Sequence, residues 1–118
     1  MDFEKLDVYK IAEKLGDEIW DLVKMWQHFE RETIGKQMTR STDSIAANIA
    51  EGAGRGSYQD NRRFVRMARA SLYETRHWLR RAYKRRLINE SQTEKIKPLI
   101  EEVGPRLNAY INSIGKKK

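Results

Sequence analysis

A chain of 118 residues with 39% hydrophobic content and a formal charge of +7 can bury one core, and the absence of cysteine excludes a disulfide scaffold, thiolate catalysis and cysteine-ligated zinc. No apolar run opens the sequence, so neither a signal peptide nor a membrane span is expected, and the cytoplasm is the expected compartment. The charge is segregated: residues 1 to 54 hold 7 Lys/Arg against 11 Asp/Glu, residues 55 to 86 hold 11 against 2, and residues 87 to 118 hold 6 against 4. A merely soluble protein needs no such separation, so a polyanion or an acidic protein surface is the partner the charge map suggests.

In chain order, Val8, Ala12, Leu15, Ile19, Leu22, Val23 and Trp26 recur in helical phase, with charged residues on the other faces, which predicts an amphipathic helix over about 5 to 28. Gln27 to Glu32 reads as a turn, and Thr33 as the N-cap of a second helix over about 34 to 53. There Ile34, Met38, Thr42, Ile45, Ile49 and Ala50 form the inward stripe, and Ala46, Ala47, Ala50 and Gly52 are small enough for close helix contact. Gly52, Gly54 and Gly56 then alternate and break the helix. Without a preceding strand or a following Gly-Lys-Ser/Thr, they do not make a nucleotide-binding loop.

Ser57 with Asp60 three residues on signals the start of the third helix, about 58 to 86. Phe64, Ala68, Ser71, Leu72, Thr75, Leu79 and Ala82 give it a packing face. A second row, Arg62, Arg66, Arg69, Tyr73, Arg76 and Arg80, is expected to face away from the core over roughly 27 Å, at about 1.5 Å per residue. With Arg55, Arg63, Arg81, Lys84 and Arg85, the arginines of this row are the candidate nucleic-acid-binding residues; 10 of the 11 cations between 55 and 86 are Arg, the side chain shaped for bidentate phosphate contact. A turn at Leu87 to Glu90 and a Ser91-x-x-Glu94 start predict a fourth helix over about 92 to 114, kinked rather than stopped at Pro105. Lys116 to Lys118 add a short basic tail. These elements make an all-α, antiparallel up-and-down four-helix bundle, in one domain over residues 1 to 118.

No catalytic constellation is expected. His28 and His77 lie in no metal-binding pattern, and Glu13, Glu18 and Glu74 fall outside the apolar stripes, so neither a cofactor nor a metal is called for. Glu51, after Asn48 on a face of small residues, is expected to make a satisfied hydrogen bond or an ion pair with Arg55 four residues on, and Trp20, Trp26 and Trp78 to serve core or subunit contacts rather than base stacking.

Ser44-Ile-Ala-Ala-Asn-Ile-Ala-Glu-Gly52, followed by Arg55, Phe64 and Ala68-Arg-Ala-Ser-Leu-Tyr-Glu74, resembles the pattern of the four-helix-bundle proteins encoded in intervening sequences of bacterial large-subunit ribosomal RNA. Phe3, Leu6, Val8 and Ala12 extend the likeness to the first helix, while Ala46 and Ala47 replace a Pro-containing step common in relatives. Ile100-Glu-Glu-Val-Gly104, Leu107 and Ile111 are also similar to the last helix of Avd, the accessory variability determinant of diversity-generating retroelements. That resemblance implies a ring-like homo-oligomer, a homopentamer, that works with a reverse transcriptase and its template RNA. The expected function is therefore a non-enzymatic accessory protein that binds RNA or DNA through its third helix. The alternatives are an intervening-sequence protein of undefined activity and a scaffold whose basic helix docks an acidic partner.

Overall fold

A computed structural model describes residues 2–116. A 3-10 turn (Phe3–Lys5) leads into α1 (Asp7–Val23); a helical turn (His28–Glu30) and a π-helical turn (Arg31–Gly35) run directly into α2 (Lys36–Ala53); α3 (Tyr58–Lys84) and α4 (Glu90–Ser113) follow. Among the described residues there is no strand. Lys117 and Lys118 of the expected basic tail lie outside the described residues.

The contacts show four antiparallel helices packed in cyclic order, α1 on α2, α2 on α3, α3 on α4 and α4 on α1. Gly16 approaches Asp43 while Gly35 approaches Val23, which fixes opposite directions for α1 and α2. Gly52 meets Asn61 and Phe64 at one end of the α2/α3 pair, and Ser41 and Thr42 meet Thr75 at the other. Arg106 to Asp7 and Lys95 to Glu18 tie α4 to α1 in the same antiparallel sense. Short links make this the favoured topology, since consecutive helices then neighbour one another.

The predicted stripes become the core: Leu15, Ile19, Met38, Ile45, Ile49, Leu72, Val103 and Leu107 are fully buried. Two polar pieces cross it. The hydroxyls of Ser41 and Thr75 share a hydrogen bond of 3.0 Å, and both Thr42 and Thr75 return donors to their own helices, at Met38 O and Ser71 O, so no buried hydroxyl is left unpaired there. Asn61 donates to the Tyr110 hydroxyl at 3.5 Å, while its Oδ1 is buried without a partner against Gly52.

Several expected boundaries shift for local reasons. The first helix ends at Val23, five residues early, because Met25 and Trp26 turn back on Leu22 and Val23. The segment read as a turn, Gln27 to Glu32, is instead mostly helical, so Thr33 caps nothing; its hydroxyl donates back to Phe29 O within the helix at 2.7 Å. Ser57 caps α3 as expected, accepting from Asp60 N at 3.1 Å. At α4 the cap is Asn89 rather than Ser91: Asn89 Oδ1 accepts from Gln92 N at 2.8 Å and the Gln92 side chain accepts from Asn89 N at 2.9 Å, a complete capping box that starts the helix two residues early. Ile88, expected in a turn, is part of the core. Both prolines lie inside one continuous α4, so Pro105 does not stop it.

Candidate nucleic-acid interface

The arginine row does not form one free surface. Arg62 is half-buried, and its Nη2 donates to Ile114 O at 2.7 Å, satisfying a carbonyl at the C-terminal end of α4 where the helix dipole favours a cation. Arg69 is also half-buried and donates from Nη1 to Asn108 Oδ1 at 3.0 Å. Both were expected to face away from the core; they face α4 instead, because α3 needs a second packing face once a fourth helix lies beside it. Arg62 and Arg69 are therefore struts between helices.

The remaining candidates divide by what they touch. Arg55 and Arg63 both stand over the Phe64 ring, with their guanidinium carbons 5.1 and 4.9 Å from its centroid. Arg63 also pairs with Asp60 at 3.5 Å. The ion pair expected between Glu51 and Arg55 is not formed; Arg55 takes the aromatic face instead. Arg66, Arg80, Lys84 and Arg85 are exposed and have no carboxylate partner among the described residues, and Arg81 is half-buried. Arg76 is exposed with its guanidinium 5.4 Å from the centroid of Tyr73. Among the described residues Arg66, Arg76, Arg80, Lys84 and Arg85 are thus exposed without a carboxylate partner, as are Arg55 before α3 and Arg86 after it, and α3 with its C-cap Arg85 carries the five over most of its length.

Beside them lies a groove between α3 and α4, the least tightly packed neighbouring pair. One cavity of about 440 Å³ is bounded by Arg69, Leu72, Tyr73, Arg76, Ile100 and Gly104, and a second of about 430 Å³ by Arg76, Leu79, Arg80, Tyr83, Ile96 and Ile100. Arg76, Lys97 and Ile100 line both, so the two are continuous. The floor is apolar and the α3 wall basic, whereas on the α4 wall Lys97 is paired with Glu101 at 3.8 Å. Tyr83 and Lys97 were missed in the sequence; Tyr83 continues the phase of the arginine row, and that spacing was the available signal.

On the opposite side, between α1 and α2, the sign changes along the groove: Lys24, Arg31, Lys36 and Arg40 with the single carboxylate Glu32 line one end around Trp20, and the other end is acidic. Glu13, Asp17 and Asp43 line that acidic end with Ala46, Ala47 and Ala50. Burial raises the Asp43 carboxyl above its ordinary value, and the Asp17 charge adds to that. The Tyr9 phenol is raised by burial first and by its hydrogen bond to Glu13 second. The tryptophans separate as well: Trp26 and Trp78 pack against the core, Trp78 donating to Glu74 at 3.0 Å, while Trp20 is 57% exposed. Among the described residues no group of His, Asp and Glu could hold a metal ion, and no helix is long and apolar enough to cross a membrane.

The architecture defines the class: an all-α four-helix bundle whose α3 presents exposed cations beside the α3/α4 groove. A model of the 23S rRNA-intervening sequence protein family matches residues 4–109, and the chain belongs to that family. A solved structure, a protein of unknown function from the S23 ribosomal protein family of Bacteroides thetaiotaomicron, is 26% identical with a TM-score of 0.82, over 90% of this chain and 99% of that one. No curated protein matches the sequence.

Proposed function

We propose that this protein is a non-enzymatic accessory protein that binds nucleic acid through the exposed cations of α3 and acts as a homo-oligomer. The observation that carries the reading is the set Arg66, Arg76, Arg80, Lys84 and Arg85, solvent-exposed on one helix with no carboxylate to neutralise them. Such a row supplies backbone contact rather than base readout, because a helix that also packs in a bundle cannot enter a groove deeply enough to reach base edges. Affinity is then electrostatic and nearly independent of sequence. Fluorescence anisotropy with labelled RNA and DNA of unrelated sequences tests it: comparable binding of both sequences, weakened by salt, is expected, and strong preference for one sequence contradicts it.

Self-association is supported by the apolar surface that α1 and the residues after it leave exposed, with Trp20 57%, Met25 78% and Phe29 72% accessible. The ring is proposed to be a pentamer, on the resemblance to Avd. Light scattering measures it directly; a particle of the 14.0 kDa monomer mass at micromolar concentration refutes it. The partners proposed on the same resemblance are a reverse transcriptase and its template RNA. A reverse-transcriptase gene and a template repeat beside this gene support that reading, and a surrounding ribosomal RNA gene supports the intervening-sequence reading. A complex with the enzyme that survives nuclease treatment would show direct protein contact.

A further inference from the structure

Of the exposed aromatic side chains, Tyr73 and Tyr83 stand in the basic groove itself, 62% and 52% accessible, each flanked by an arginine of α3. At about 1.5 Å per residue they are roughly 15 Å apart along the helix, the length of about four bases at the 3.4 Å rise of one strand. Between them the floor is Leu72, Leu79, Ile96 and Ile100, a surface that gains from contact with a base and offers nothing to a phosphate. The Arg76 guanidinium lies over one face of the Tyr73 ring, 5.4 Å from its centroid, so a base stacks on the other face or on the guanidinium plane itself.

We infer that the α3/α4 groove takes a single strand, with unpaired bases stacked on Tyr73 and Tyr83 and phosphates held by Arg76 and Arg80. This rests on the nucleic-acid reading above and names its ligand more narrowly. Rings set in a groove reach only bases that are not already stacked and paired, so a duplex meets the outer arginines alone. Every base has a π face, so stacking adds strand selectivity without adding sequence selectivity. On the α4 wall Lys97 and Glu101 offset each other, so the unpaired arginines of the α3 wall draw the phosphates to that side. An acidic amphipathic helix is the competing occupant; the exposed tyrosines favour the strand, since a helix filling the apolar floor has no use for ring faces turned to solvent.

The test uses the full chain with a labelled oligothymidylate or oligouridylate and, separately, a duplex of the same length. The single strand is expected to bind more tightly than the duplex. Tyr73→Ala and Tyr83→Ala should each weaken single-strand binding by roughly five- to 100-fold while leaving duplex binding unchanged, and Tyr73→Phe and Tyr83→Phe, which keep the ring, should stay within about threefold of the wild type. Circular dichroism checks that the alanine variants remain folded, and the Phe variants carry the test if they do not. Equal affinity for duplex and single strand, or Ala variants that bind normally, overturns the stacking proposal while the polyanion surface stands. A wild-type protein that binds neither overturns both. Tyrosine-dependent binding of an acidic amphipathic peptide, without binding of the oligonucleotide, reassigns the groove to a protein and overturns the proposal.

Discussion

Gly52 sits where α2 comes closest to α3, and the cost of giving it a side chain can be worked from the contacts. A Cβ there lies 2.7 Å from Asn61 Oδ1, 2.9 Å from Phe64 Cβ and 3.1 Å from Asn61 O. Two of these three atoms belong to, or hang directly from, the α3 backbone, so the overlap is relieved only by moving the helices apart. Gly52→Ala gains about 1 kcal/mol of helix propensity. Overpacking a tight contact costs about 1–3 kcal/mol, and Phe64, held under Arg55 and Arg63, has little freedom to yield. The net expectation is a loss of up to about 2 kcal/mol, or up to roughly 8 °C in Tm for a domain of this size. Gly54 is the control: a Cβ there has 3.6 Å to its nearest neighbour, so Gly54→Ala should be neutral or stabilising by about 0.5 kcal/mol. Urea unfolding followed by helical circular dichroism measures both. A Gly52→Ala protein as stable as the Gly54→Ala protein would refute the claim that α2 and α3 need a bare backbone at this point.

Arg62→Gln should lower stability by about 1 kcal/mol, through loss of the charged hydrogen bond to Ile114 O, yet change oligonucleotide affinity little; denaturant and anisotropy titrations of one preparation separate the two effects. Arg86 closes α3 at φ 63, with its N–H on Tyr83 O and that of Leu87 on Ala82 O, so Arg86→Gly should stabilise by about 0.5–1 kcal/mol, read as a rise in Tm. Asp43 has a folded-state pKa above its ordinary 3.8, so ionising it opposes folding: its contribution is full below that value and lost as pH rises through the raised pKa. Asp43→Asn should therefore raise Tm at neutral pH, modestly because the side chain is largely exposed, and the difference should vanish on acidification; a constant difference across pH contradicts the assignment.

The core was legible in the sequence because burial follows the helical period: Leu15, Met38, Ile49, Leu72 and Val103 all fall on stripes that can be read from spacing alone. The caps were legible only where one candidate stood alone. Ser57 had no rival, whereas two overlapping capping boxes, Asn89-x-x-Gln92 and Ser91-x-x-Glu94, stand in the sequence before α4, and spacing alone does not choose the first of them, which the folded chain uses. The site was half legible. Segregated charge marked α3, but a single helix shows one packing face, and α3 has two neighbours in the bundle. Arg62 and Arg69 lie toward the second neighbour, and no local pattern says that Ile114 O and Asn108 will be waiting for them. Tyr73 is legible as a member of the outward row and is 62% exposed, whereas Tyr83, the next residue in that phase, was passed over, and that both flank one groove is visible only once α4 is in place.

The central claim is that five exposed cations of α3 and its C-cap hold a nucleic-acid backbone, and the salt dependence of single-strand affinity tests it most directly. If Arg66, Arg76, Arg80, Lys84 and Arg85 each neutralise one phosphate, log K against log salt should fall with a slope near −3.5, about −0.7 per contact. Changing all five to Gln should flatten that slope and cost orders of magnitude in affinity at moderate salt, with helical signal and particle mass unchanged. An affinity indifferent to salt, or a five-fold variant that binds like the wild type, would contradict the account.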